Sequence, residues 1–401
     1  MRLDPAGTCH LTYCTNIHAG ESWAEVRENL GRYLTAVRQR LAPAADFGVG
    51  LRLSAAAAAD LATSDRLAEF RKFLAANRLY VFTLNGFPYG PFHGRPVKEG
   101  VYQPDWRTAE RLDYTNQLAD ILAHLLPGES GLEGTISTVP GGFKTDIEGP
   151  ADVTAMVDNM VRHVGHLVAL QARTGKTISL ALEPEPCCFI ETIDEAVDFF
   201  SHQLFAPATV ERLAGLAGLD GPQAGAALRR HLGLCLDLCH AAVEFEDAAA
   251  AIAKLRRAGI RVGKMQISAG LRFAAVDAAT HELLRPFDDE VYLHQVVARS
   301  GGQLERYVDL SQAFAAPLAA DGESEWRVHF HVPIFLDDLG HFATTQDFIR
   351  QALALHREQA ISPHLEVETY TWDVLPPAYR NVDVVSAIVR ELDWVRRELG
   401  A

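Results

Sequence analysis

With 401 residues, 48% of them hydrophobic, the chain can fill a sizeable core as one large α/β barrel or as two medium domains. A formal net charge of −15 supplies no counterion-release term for gripping a phosphate backbone, which argues against a nucleic-acid partner. The six cysteines lack CxxC or zinc-ribbon spacing and read as reduced thiols, the opening MRLDPAGTCH has no apolar signal core, and no run nears the roughly 18 apolar residues of a membrane span, so the expected compartment is the cytoplasm.

In chain order, a first strand is predicted at 11–17 (LTYCTNI). A helix follows in ESWAEVRENLGRYLTAVRQRL, where Trp23, Val26, Leu30, Tyr33, Leu34, Val37 and Leu41 recur at helical spacing and Ser22 with Glu25 fits a capping box. Further strands are predicted at 47–54, 80–86 and 134–140, and 85–106, rich in Gly, Pro and aromatics, suits a structured loop over a pocket. A helix through Met156, Met160, Val164, Leu167 and Leu170 leads to strands at 178–184, 232–238 and 262–268. The stretch 270–335 is too long for an ordinary connection and reads as an insertion, with strands in VYLHQVV and in 326–335 and an exposed loop at LAADGESE. A helix through Phe348, Ile349, Leu353 and Leu355, starting near Thr344, and a strand at 364–370 complete the pattern. Strand-then-helix repetition with short connections predicts a parallel α/β sheet closed as a (β/α)8 TIM barrel, one domain over 1–401, with the insertion above its mouth.

The stretch ISLALEPEP (178–186) places Glu183 and Glu185 on one strand face inside an otherwise apolar run. Buried carboxylates require a cation or hydrogen-bond donors nearby. Strand C-termini of such a barrel converge on one mouth. There Glu183 ends the fifth strand, Asp237 the sixth, Gln266 the seventh and Glu368 the last, an oxygen-rich set suited to a hard or borderline divalent cation. His240, three residues after Asp237, would reach the same mouth. Glu185 and Glu366 share parity with Glu183 and Glu368, so residue pattern alone leaves the choice within each pair open.

LEPEP, the Asp-x-x-His of DLCH, the strand MQIS and a glutamate on the last strand resemble the xylose isomerase-like TIM-barrel superfamily of sugar isomerases, epimerases and type IV endonucleases. Glutamine at position 266 is similar to the hydroxypyruvate isomerase-like members. The openings YCTNIHAGESW and LEVETYTWDVLP look like the EboE-type proteins, a branch associated with metabolite trafficking. The resemblance implies Glu183, Asp237, Gln266 and Glu368 as ligands of Mn²⁺, Mg²⁺ or Zn²⁺, with Glu183 and Glu368 also serving as acid/base groups, and places a substrate-binding arginine at Arg272. It implies a metal-dependent isomerase or epimerase acting on a small sugar, cyclitol or keto acid through an enediolate. His240, His18 and His331 join Arg272 as expected substrate contacts, although His18 would equally suit an exposed loop. His329 and His331 alternate onto one strand face and read first as hydrogen-bonded histidines lining the pocket, second as a further metal site. Two rivals remain: an endonuclease IV-like phosphodiesterase, which the acidic charge and Gln266 oppose, and a noncatalytic metabolite-binding protein on the same barrel. Homo-oligomerisation is left open.

Overall fold

The computed structural model describes residues 1–4, 8–94, 96–128, 131–318, 324–375 and 382–401. Seven barrel strands come first: β1 (His10–Tyr13), β2 (Phe47–Arg52), β3 (Leu79–Asn85), β4 (Gly134–Thr138), β5 (Ile178–Leu182), β6 (Leu232–Asp237) and β7 (Val262–Ile267). Five short strands follow: β8 (Ala269–Phe273), β9 (Val296–Ser300), β10 (Gln303–Tyr307), β11 (Glu325–Val332) and β12 (Ala343–Thr344). Strand β13 (His364–Val367) then returns to the barrel, between β1 and β7. The eight barrel strands are parallel.

Closure between β1 and β2 is made largely by two threonine side chains, Thr15 Oγ1 accepting from Arg52 N at 2.9 Å. Thr12 Oγ1 donates to Gly48 O at 2.8 Å and accepts from Gly50 N at 3.2 Å, with a single parallel bridge from Cys14 to Gly50 beyond it. Gly50 must be glycine because a Cβ there would collide with the Glu366 carboxylate and lie 2.8 Å from Tyr13 O.

The helices form for the reasons legible in the chain. Ser22 and Glu25 make the capping box of the first helix, and Trp23, Val26, Leu30, Leu34 and Val37 are buried while Tyr33 and Leu41 pack at its edge. Helix Pro150–Thr174 buries Met156, Met160, Val164, Leu167 and Leu170 and ends on Gly175 in the left-handed region. Helix Gln346–Glu358 buries Phe348, Ile349 and Leu353.

Several boundaries differ from expectation. The first strand stops at Tyr13, and Thr15–Ile17 form a 3₁₀ turn that brings Asn16 over the mouth. The insertion is an antiparallel sheet in the order β10-β9-β11-β8-β12. It begins one residue after β7 and extends past 335 to Thr344. VYLHQVV is strand only from Val296, because His294 and Gln295 are drawn into side-chain contacts at the mouth. Most of the predicted loop LAADGESE (318–325) lies outside the described residues. All six cysteines are free, and no described helix is long and apolar enough to cross a membrane.

Candidate metal centre at the barrel mouth

The barrel interior is layered by charge. Deepest lies Lys264 of β7, whose Nζ donates to Glu366 Oε2 at 2.7 Å; both side chains are completely buried. This settles the question of parity on the last strand: Glu366 is held inside the barrel by Lys264, and Glu368, two residues on, reaches the cavity at the mouth.

Glu183, Asp237 and Glu368 converge there. Each offers an oxygen within 4.8 Å of the others, and all three residues are buried. Asp237 caps the helix Leu238–Val243, its Oδ1 accepting from His240 N at 2.9 Å and from Ser268 Oγ at 2.8 Å. Glu368 Oε1 accepts from Asn16 and Asn85, both at 2.8 Å. Glu183 Oε2 and Asp237 Oδ2 meet no hydrogen-bond donor among the described residues. Burial, then repulsion from Glu368 and Asp237, raises the Glu183 carboxyl well above the usual carboxylate range. Burial, then Asp237 and Glu366, does the same to Glu368.

Glu185 also faces the cavity but is otherwise engaged. It accepts from Tyr102 OH at 2.7 Å and Gln295 Nε2 at 3.1 Å, and burial raises its carboxyl. The cavity has acidic and imidazole groups at its floor and walls of Phe87, Phe92, Val101, Tyr292, Leu293 and Tyr370. Barrel and insertion thus contribute jointly: His329 and His331 come from β11, at an irregularity in its pairing with β8 between Val328 and Val332. Such an interruption re-aims side chains beside a site.

The other expected residues fall in different places. His240 and His331 line the cavity. Gln266 is buried in register with Asp237 and Glu366, its Oε1 accepting from Cys235 Sγ at 2.9 Å and its Nε2 without a partner among the described residues. Arg272 does not line the cavity: it pairs with Glu325 at 3.0 Å and with Asp347 at 3.6 Å, because β8 carries it into the second sheet. His18 is neither exposed nor at the cavity; it stacks on Tyr33 and its Nε2 meets Tyr13 OH at 3.0 Å. Sequence reasoning passed over Asn16, Asn85, Lys264 and Gln295. For Lys264 a signal existed, since it shares strand parity with Gln266 in VGKMQIS.

Fold and site together define a (β/α)8 barrel with an acidic cluster at its mouth. The chain matches no protein-family model and no curated protein. Among solved structures it is similar to an IolI protein with a bound zinc atom, at 12% identity over 98% of each chain and a TM-score of 0.47. It is also similar to D-psicose 3-epimerase from Clostridium cellulolyticum H10, solved with D-tagatose, at 12% identity over 98% of this chain and 99% of that one, TM-score 0.48. A third is a xylose isomerase domain protein from Planctomyces limnophilus, at 14% identity over 88% and 89%, TM-score 0.45. At such identity a likeness reaches no further than the fold, so the chemistry is read from the residues themselves.

Proposed function

We propose that the barrel is a divalent-metal-dependent isomerase or epimerase acting on a small sugar, cyclitol or keto acid through an enediolate. The observation that carries this reading is the meeting of three buried carboxylates, two with an unpartnered oxygen, at the floor of a cavity walled by aromatic and aliphatic side chains. Anions so placed are tolerable only if protonated or neutralised by a cation. The donor set fits the cation: Glu183, Asp237 and Glu368 supply hard oxygens for Mn²⁺, Mg²⁺ or Zn²⁺. Gln266 is the proposed fourth ligand. Turning its amide end over puts oxygen where Nε2 now lacks a partner and leaves an N–H facing the Cys235 sulfur.

A bound cation would stabilise negative charge developing on substrate oxygens. The protein's own part is proton movement. Glu183, its carboxyl raised by burial, Glu368 and Asp237, and Glu368, its carboxyl raised by burial, Asp237 and Glu366, are suited to take a carbon-bound proton and return it. Asn16 and Asn85 fix one oxygen of Glu368, leaving Oε2 for that transfer. His240 and His331 would contact substrate from the cavity wall.

The test is solvent-deuterium incorporation by metal-loaded protein into a panel of ketoses, cyclitol ketones and hydroxy-keto acids. Glu368→Gln should bind metal yet lose about 10²- to 10⁴-fold in exchange rate. Undiminished exchange in that variant would refute the two-glutamate reading. Tight ligand retention without exchange would favour the metabolite-carrier alternative.

A further inference from the structure

We propose that His240, His329 and His331 form a second divalent-metal centre, suited to zinc, beside the carboxylates and distinct from them. The case rests on where each imidazole proton must be. His240 Nδ1 lies 2.9 Å from Pro184 O and His331 Nδ1 lies 3.0 Å from Glu368 O. A carbonyl oxygen only accepts, so both Nδ1 atoms carry hydrogen. His329 Nδ1 lies 2.7 Å from Gln295 Oε1. That amide cannot be turned over, because its Nε2 donates to Glu185 Oε1 at 3.1 Å and to Pro186 O at 3.2 Å. His329 Nδ1 therefore donates as well.

A neutral imidazole has one ring proton, so all three Nε2 atoms present lone pairs. Yet His329 Nε2 is 3.1 Å from His240 Nε2 and 3.1 Å from His331 Nε2. Lone pairs so close repel unless a proton or a cation lies between them. A proton is poorly supported: all three residues are buried, and Asp237, the carboxylate nearest these Nε2 atoms, stands beyond hydrogen-bond reach, 3.8 Å from His240 Nε2 and 4.0 Å from His331 Nε2. Tyr370 OH reaches His329 Nε2 only at 3.4 Å. A zinc ion accounts for these two separations, since nitrogens at about 2.0–2.1 Å from a tetrahedral metal stand about 3.3 Å apart.

The surroundings are those of a ligand set. Each Nδ1–H is anchored on an oxygen, the outer-shell arrangement that fixes ring orientation and raises the basicity of the ligating nitrogen. Asp237 lies between the two centres, with Oδ1 3.8 Å from His240 Nε2 and Oδ2, which has no donor, 4.0 Å from His331 Nε2. All three histidines line the cavity, so a position open to water or a substrate oxygen would face the same space as the carboxylates. This inference does not need the isomerase reading.

The experiment uses the full chain without a histidine tag, stripped by chelator, crystallised and soaked in zinc chloride slightly above neutral pH, with data collected on both sides of the zinc edge. The expected result is an anomalous peak bonded to the three Nε2 atoms, besides one at the carboxylates. In solution, wild type should retain two zinc ions per chain after gel filtration and His329→Ala only one. A peak at the histidines with none at the carboxylates upholds this centre and overturns the metal of the proposed function. A carboxylate peak alone, or one ion shared by both groups, overturns the second centre. If His329→Ala does not fold, the wild-type crystal decides by itself.

Discussion

Replacing Lys264 by methionine tests whether the barrel's internal charges are balanced as described. The perturbation keeps length and apolar volume while removing the only cation paired with Glu366 among the described residues, at 2.7 Å with neither side chain exposed. Burial alone would lower the Lys264 ammonium, but Glu366, followed by Cys235 and Cys14, outweighs it and holds the group above its ordinary range. Its other contacts, to Leu84 O and Ser137 Oγ, are both 3.3 Å long and add little. Breaking one side of a buried pair leaves an uncompensated charge and costs about 3–5 kcal/mol, whereas replacing both partners by apolar groups is often near neutral. Lys264→Met should therefore lose about 3–5 kcal/mol, and Lys264→Met with Glu366→Leu should recover most of it. Urea unfolding of the metal-free proteins at neutral pH, followed by far-UV circular dichroism, gives both values. A single variant within about 1 kcal/mol of wild type, or a double variant no better than the single, would refute a paired interior.

Gly50→Ala should cost about 1–3 kcal/mol by overpacking against Glu366 and the Tyr13 carbonyl, and should cost less when added to Glu366→Ala, itself destabilised by the unpaired Lys264, than when added to wild type, both increments read from urea midpoints. Glu391, buried and accepting from Thr369 Oγ1 at 2.7 Å, has its carboxyl raised to about 7 by burial. The folded state thus holds this proton more tightly than the unfolded chain. The associated stability is complete at acidic pH and is lost as pH rises towards and through 7, so Glu391→Gln should flatten the wild-type decline between pH 5 and 8 by up to about 3 kcal/mol. Glu183 and Glu368 act with the same sign: metal-free protein should melt lower as pH rises, and saturating divalent cation should reverse that slope. Parallel slopes with and without metal, measured by calorimetry, would contradict a cation at these carboxylates.

The barrel was legible because its strands are apolar runs of buried period and its helices carry explicit caps, as at Ser22 and Glu25. The carboxylates at the mouth were legible because acids in such runs have no bland place to go. The distinction between Glu366 and Glu368 was not, since parity is equal for both and only Lys264, on the neighbouring strand β7, separates them. Arg272 was misplaced for a related reason: β8 starts a new sheet one residue after β7 ends, so counting along the chain carried the arginine towards a mouth it turns away from. His329 and His331 share a face, as alternation predicts, but what they face depends on Gln295 and on Pro184 next to Glu183, contacts between segments far apart in sequence.

The two layers of acid in this barrel have different fates, and the difference locates its chemistry. Glu366 lies below Glu368 and its Oε2 is paired with the Lys264 ammonium, although its Oε1 meets no donor among the described residues, so the fold can set a cation against a buried carboxylate where it needs only stability. At the mouth it does not: Lys264 is spent on Glu366, Lys98 is tied to Asp309 at 2.7 Å and Arg272 is held by Glu325. Glu183, Asp237 and Glu368 are left with amides, a hydroxyl and a backbone N–H as donors, and with two oxygens bare. Such a cluster is destabilising in an apoprotein, because repulsion and desolvation act together. Its cost is offset when positive charge arrives from outside the chain, which ties the ionisation of Glu183 and Glu368 to cation uptake. Glu368→Gln together with Glu183→Gln should accordingly raise the stability of the metal-free protein at pH 8 while abolishing its stabilisation by Mg²⁺, an ion that prefers carboxylate oxygens to imidazole, a pairing of opposite effects that purely structural carboxylates would not produce.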